Sequence, residues 1–237
     1  MAATPPPPGS PAWWAARPAP APAPERRRGR PALDTAHIVG VALRLVDEHG
    51  TQAFSLRLLA EALGSGTATL YRHFEGKDEI LAYVVDRVLG ETVLDDLAER
   101  ADWREALTVT AHRFHDTLRR HPHVLPPLMA QVPVGPHGLA QRERVLAALL
   151  ALGLPADLAA RAFTAVTHYV IGFTAQQYGP AAAPDDGPRL AAFYRELDPA
   201  AYPALHRAAG TLTSVPVEEE FAFGLGLLVH GLAHLHP

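Results

Sequence analysis

The run Gly64-Ser65-Gly66-Thr67-Ala68-Thr69-Leu70-Tyr71-Arg72-His73-Phe74 sets two glycines and a serine between two short amphipathic segments. On its N-terminal side, Ser55 is placed to cap a helix whose inner face is Leu56, Leu59, Ala60 and Leu63, ending at Gly64. On its C-terminal side, Leu70 and Phe74 lie four residues apart and form the inner face of a second short helix. Upstream, Ile38, Val41, Ala42, Leu45 and Val46 follow Asp34 at helical spacing, and His49-Gly50 closes that segment with a helix-ending glycine. Three helices, the last two joined by a tight glycine turn, read as a helix-turn-helix.

The outer face of the final helix has the chemistry a major groove needs. Small or polar residues must reach base edges, and donors at the margins must reach phosphates. Thr67, Ala68, Thr69, Tyr71, Arg72 and His73 supply such a face. Thr67 and Thr69 can meet a base edge or a thymine methyl group, and Arg72 can pair with guanine through two hydrogen bonds. Tyr71, His73 and Lys77 are phosphate donors, and Arg57 on the preceding helix is a further candidate for base or phosphate. The net charge of −4 argues against a nucleic-acid binder until it is divided along the chain. Residues 1–77 hold nine Lys/Arg and six Asp/Glu, a balance of +3, whereas residues 78–237 hold twelve and nineteen, a balance of −7. The basic excess coincides with the motif.

The 237 residues, 48% hydrophobic and free of cysteine, suit a small domain followed by a larger one without disulfides. Residues 1–30 read as a disordered Pro/Ala-rich tail that ends in a basic arm, Glu25 to Pro31, suited to phosphates or a minor groove. Residues 31–78 read as the helix-turn-helix domain and 79–237 as a larger helical domain. A long helix is expected from Lys77 to Arg100, with Ile80, Leu81, Val84, Val85, Val88 and Leu89 as its buried stripe. Further helices are expected near 103–121, 123–130, 137–152, 155–178, 188–197 and 217–235, with a loop at 179–188. No sustained two-residue alternation calls for a strand, so the fold class is all-α. No apolar run reaches the roughly 18 residues of a membrane helix, and no secretory signal is legible, which implies a cytoplasmic protein.

Leu63-Gly64, Thr69-Leu70-Tyr71-Arg72-His73-Phe74, Lys77 and Ile80-Leu81 together resemble the signature of the tetracycline-repressor (TetR) family. The register from Ile38 through Gly50 and Ser55 agrees over about fifty residues. The departure is in the turn, where Ser65 replaces an apolar residue and Gly66 the usual cap, which suggests a looser turn. Ala162–Gly172 and Phe221–Leu232 are similar to the two dimer-forming helices of tetracycline repressor itself. The resemblance implies a homodimer, built from helices near 155–178 and 217–235, that binds a palindromic double-stranded DNA operator as a repressor and releases it to a small-molecule effector. Gly224, Gly226 and Gly231 fit that role, because glycine costs a helix about 1 kcal/mol relative to alanine and marks close backbone approach.

The resemblance also implies an effector pocket between the helices at 103–121, 137–152 and 155–178. Its candidates are Phe114, Leu118, Met129, His137, Thr167, His168, Phe173 and Gln176, each of which also has an ordinary packing role. The positions that hold a drug–magnesium chelate in tetracycline repressor correspond to Leu128 and Gln176, which disfavours that ligand and points to an apolar effector. Thirteen histidines raise a metal alternative, with His112 and His115 at i, i+3 and His230 and His234 at i, i+4. Neither pair has a carboxylate completing a set, so no metal or cofactor is expected. A helical enzyme or metal-binding module carrying a helix-turn-helix-like bundle stands as the alternative, although no P-loop, nucleophile elbow or dinucleotide fingerprint occurs. Repressor and activator are not separable from sequence.

Overall fold

The computed structural model describes residues 5–17, 34–179 and 187–235. The basic arm Glu25 to Pro31 and most of the loop at 179–188 lie outside the described residues. Twelve α-helices and two 3-10 turns, joined by turns and loops, are present among the described residues, with no strand. The chain is all-α.

The N-terminal helix-turn-helix head is α2 (Thr35–Ala53), α3 (Leu56–Ala62) and α4 (Thr67–Leu70). Asp34 caps α2 by accepting from the His37 N–H at 2.7 Å, and Gly50 breaks its final turn with a left-handed φ of 78°. Ser55 caps α3, accepting from the Leu58 N–H at 3.2 Å. The turn into α4 is not loose: Gly64 takes φ 61°, and the Ser65 N–H donates to the Ala60 carbonyl at 2.9 Å. This six-to-one bond is the usual glycine closure of a helix C-terminus, and it needs nothing apolar at position 65. Ile38, Leu59, Leu70 and Phe74 form the buried floor of the head.

Helix α5 (Lys77–Leu89) runs from under the head into the larger helical part, and one apolar core is continuous along it. Its expected stripe, Ile80, Leu81, Val84, Val85, Val88 and Leu89, is buried throughout. The helix stops at Leu89, short of the expected Arg100. Gly90 ends it, and a Cβ there would stand 2.6 Å from the His137 ring. The chain then turns so that Leu94 and Leu97, the latter in a 3-10 turn at Leu97–Glu99, still reach the core. Arg100 and Arg113 both pair with Asp96 to fasten this turn.

The larger part comprises α6 (Trp103–Arg120), a 3-10 turn at Pro122–Val124, α7 (Leu125–Met129), α8 (Pro136–Ala151), α9 (Ala156–Tyr178), α10 (Gly187–Glu196), α11 (Pro203–Leu212) and α12 (Val217–Leu235). Helix α11 is not among the helices expected from sequence, and it packs against α10. A second departure is at the N-terminus. Residues 5–17 are not an unordered tail: Ser10 and Pro11 start α1 (Pro11–Ala15), whose Trp13 is only 3% exposed. No helix among the described residues is long and apolar enough to cross a membrane.

Candidate nucleic-acid interface and internal cavity

The head presents Arg57, Thr67, Ala68, Tyr71, Arg72 and His73 to solvent, with Thr69 and Lys77 partly buried beside them. Tyr71 is 60% exposed although aromatic, while its neighbours Leu70 and Phe74 are buried. The inner and outer faces therefore divide as the four-residue spacing predicts. The Arg72 guanidinium makes one long contact, 3.4 Å to Thr69 Oγ1, and Lys77 Nζ donates to the Gln52 carbonyl at 3.4 Å. All eight candidate residues lie between positions 57 and 77, at the C-terminal end of the chain's basic segment, residues 1–77.

A cavity of about 850 Å³ lies between α6, α8 and α9, within the size range of small-molecule pockets. Four sequence candidates line it: Phe114, Met129, Thr167 and His168. The other four do not. Leu118 is fully buried core, and Gln176 is exposed on the outside of α9. His137 donates from its backbone N–H to Asp86 at 3.2 Å and places Nδ1 2.8 Å from the same carboxylate. Asp86, buried on α5, also accepts from the Gly138 N–H at 3.0 Å, so it caps α8 and joins the two helices.

Phe173 belongs to an aromatic cluster where α6, α9 and α12 meet. The Phe221 ring stacks on His115 at 4.3 Å and contacts Tyr169 at 5.5 Å and Phe173 at 5.2 Å. The Tyr169 hydroxyl donates to the Phe221 carbonyl at 2.9 Å. A Cβ on Gly224 would meet that hydroxyl at 2.4 Å, so this glycine answers to a contact within the chain. A Cβ on Gly226 or on Gly231 would have no neighbour within 4 Å, and both positions are open.

Burial lowers the pKa of His115 below its ordinary 6.5; Arg119 and His112 act in the same direction, and Asp116 opposes them. Below pH 6.5 the unfolded chain therefore takes up a proton before the folded chain does. The stability that neutral His115 contributes is intact above that pH and declines as pH falls through and below it. His115→Phe is expected to flatten the decline in melting temperature between pH 7.5 and pH 5; an unchanged slope would refute this role.

The remaining lining lies outside the sequence candidates. Leu89 enters from the end of α5 and Thr92 from the turn after it, Gln131 and Pro133 from the segment before α8, and Gln141, Arg142 and Phe163 from α8 and α9. A signal is nevertheless present: Ala160, Phe163, Thr164, Thr167, His168 and Ile171 form a stripe on α9, beside the core stripe of Leu158, Ala162, Val166 and Val170. Gln141 Nε2 donates to the Thr92 carbonyl at 2.6 Å, which leaves its buried Oε1 as an acceptor without a partner among the described residues. Arg142 stands over the Phe163 ring, 5.6 Å from its centroid.

The histidine pairs have other partners. His112 lies against Phe221 with centroids 5.2 Å apart, and Nδ1 of His230 and of His234 bonds to the carbonyl four residues earlier. No group of three or more His, Asp or Glu side chains suited to a metal occurs among the described residues.

Residues 38–84 match the family described as "Bacterial regulatory proteins, tetR family", and residues 97–235 match "Tetracyclin repressor-like, C-terminal domain". The chain belongs to the TetR family. Members of the TetR family are DNA-binding transcription factors rather than enzymes, and this chain is a helix-turn-helix regulator of that kind. The HTH-type transcriptional repressor DrrR1 of Streptomyces coeruleorubidus is 30% identical over 217 residues, covering 87% of this chain and 79% of that protein. Tetracycline repressor protein class G of Vibrio anguillarum is 28% identical, covering 86% and 95%. The TetR-family protein ActR of Streptomyces coelicolor, solved in complex with actinorhodin, superposes with a TM-score of 0.77 at 29% identity, covering 86% and 98%.

Proposed function

We propose that the chain is a cytoplasmic repressor whose two-fold dimer holds a palindromic operator until an apolar small molecule enters the helical domain. The head, residues 31–78, reads DNA, and residues 79–237 sense the ligand and dimerise. Arg72 contacts a guanine edge, with Thr67, Ala68 and Thr69 beside it in the groove. Arg57, Tyr71, His73 and Lys77 meet the flanking backbone.

The single observation that carries this reading is the cavity of about 850 Å³, because its wall includes Leu89, the last residue of the helix that bears the head, and Thr92 in the turn after it. A ligand that displaces Leu89 moves α5, and the separation of two half-sites, about 34 Å, tolerates little change. The lining is mainly apolar, with Phe114, Val145, Leu146 and Phe163 among its walls. Gln141 Oε1 offers an acceptor to a ligand hydroxyl, and Arg142 offers a cation to a carbonyl or phenolate. Leu128 supplies hydrocarbon where a magnesium chelate would need a ligand. The actinorhodin complex of ActR supports a small-molecule ligand.

Dimerisation is proposed through α9 and α12. Phe223 and Leu227 are 70% and 61% exposed on α12, and the open positions Gly226 and Gly231 allow a second backbone to approach.

Actinorhodin serves as the probe in a tryptophan-quenching titration. One saturable site per chain is expected, weakened at least fivefold by Gln141→Ala and lost in Gly172→Trp, which fills the cavity wall. Equal binding by wild type and both variants would contradict the assignment of this cavity.

A further inference from the structure

Residues 5–17 lie across the junction between the head and the cavity. On the head side, the Trp13 and Trp14 rings meet Tyr83 edge-on, at 5.5 and 5.1 Å, and Tyr83 meets Phe74 at 5.7 Å. Phe74 ends the segment that carries Tyr71, Arg72 and His73, so an unbroken aromatic chain runs from α1 to the back of the reading surface. Arg17 packs over the Trp13 ring at 3.4 Å and pairs with Glu79 at 2.6 Å. Glu79 is buried, and its other oxygen accepts from the Glu75 N–H at 2.6 Å. Arg17 thus neutralises the carboxylate that holds the turn between α4 and α5.

On the cavity side, Gln131 Nε2 donates to the Pro8 carbonyl at 2.9 Å, and the Trp14 ring would stand 2.9 Å from a Cβ on Gly135. Gln131 and Pro133 line a small cleft shared with Gly9 and Trp14, and the same two residues line the large cavity. One short segment therefore has the N-terminal residues on one side and the cavity on the other. The docking is not tight everywhere. Trp13 Nε1 is buried without an acceptor among the described residues, a desolvation cost that favours release.

We propose that residues 5–17 are an intramolecular clasp that couples the segment bounding the cavity, residues 129–135, to the reading head through Trp13, Trp14, Tyr83 and Phe74 and the Arg17–Glu79 pair. The clasp is a second route from cavity to head, parallel to α5 itself. Its regulatory meaning rests on the function proposed above, but its existence does not, so the test uses neither DNA nor effector.

Hydrogen exchange is measured on the full chain, on Trp13→Ala/Trp14→Ala, on Arg17→Ala and on Trp13→Phe/Trp14→Phe. The double alanine variant is expected to exchange at least tenfold faster both at residues 75–86 and at residues 129–138, while α9 stays within twofold of wild type. Arg17→Ala is expected to give a smaller change of the same pattern, and the double phenylalanine variant to restore most of the protection. Unchanged exchange, or faster exchange on one side only, overturns the coupling. A uniform loss that includes α9 also overturns it, because it marks a general prop of the fold instead of a clasp between two elements.

Discussion

Arg72→Ala is expected to weaken operator binding about five- to 150-fold at fixed salt, the equivalent of ~1–3 kcal/mol for one two-bond contact to a base. The side chain is exposed on the outer face of the head, and its one contact among the described residues, 3.4 Å to Thr69 Oγ1, is too long to hold it back from DNA. The loss is expected to be unequal across sequences, because a base contact carries specificity: the variant should relax its preference at one position of each half-site. Tyr71→Phe and Lys77→Ala are expected to behave differently, weakening all sequences alike, with the Lys77 variant lowering the salt slope by about 1. Fluorescence anisotropy at several salt concentrations separates the two patterns. Melting temperature should barely move for Arg72→Ala, since exposed substitutions change stability by only about 0.5 kcal/mol.

Phe221→Ala is expected to destabilise the fold by ~3–5 kcal/mol, the usual cost of removing a buried aromatic ring. The ring is 2% exposed and sits where α6, α9 and α12 meet, touching His115, Tyr169, Phe173 and His112. These partners are rigid aromatics that cannot collapse into the space, so the cavity term should lie near its upper range. Such a loss is a large share of the ~5–15 kcal/mol that stabilises a typical domain. Urea unfolding followed by circular dichroism measures it. A loss below about 1 kcal/mol would mean that the aromatic cluster contributes little to joining these helices.

The head is legible in the sequence because its signals are local. Ser55 and Gly64 act within one or two turns as expected, whereas Gly50 kinks α2 instead of ending it, and α4 stops at Leu70, so that Phe74 is buried from the turn beyond the helix. The end of α5 is poorly legible, because the apolar stripe continues past Gly90 through Leu94 and Leu97, and the ring that excludes a Cβ at position 90 belongs to His137, far along the chain. The N-terminal clasp is hidden for a similar reason. Its proline-rich composition reads as unordered, and the burial of Trp13 depends on Tyr83 and Glu79, which are about seventy residues distant.

The cavity is half legible. Helical spacing gives the faces of α6 and α9 but does not say which apolar face meets protein and which meets a void. Phe114 and Leu118 are four residues apart on α6, yet only Phe114 reaches the cavity. Gln141 and Arg142 are polar residues whose role emerges only when the void beside them is seen.

The central claim is that the head reads specific double-stranded DNA in a two-fold assembly. Selection from a random duplex library by the purified full chain tests this directly. The expected result is enrichment of a palindrome with half-sites about one helical turn apart, bound with a steep salt dependence and lost in Arg72→Ala. Enrichment of no sequence, or binding that is indifferent to salt and to Arg72, would contradict it.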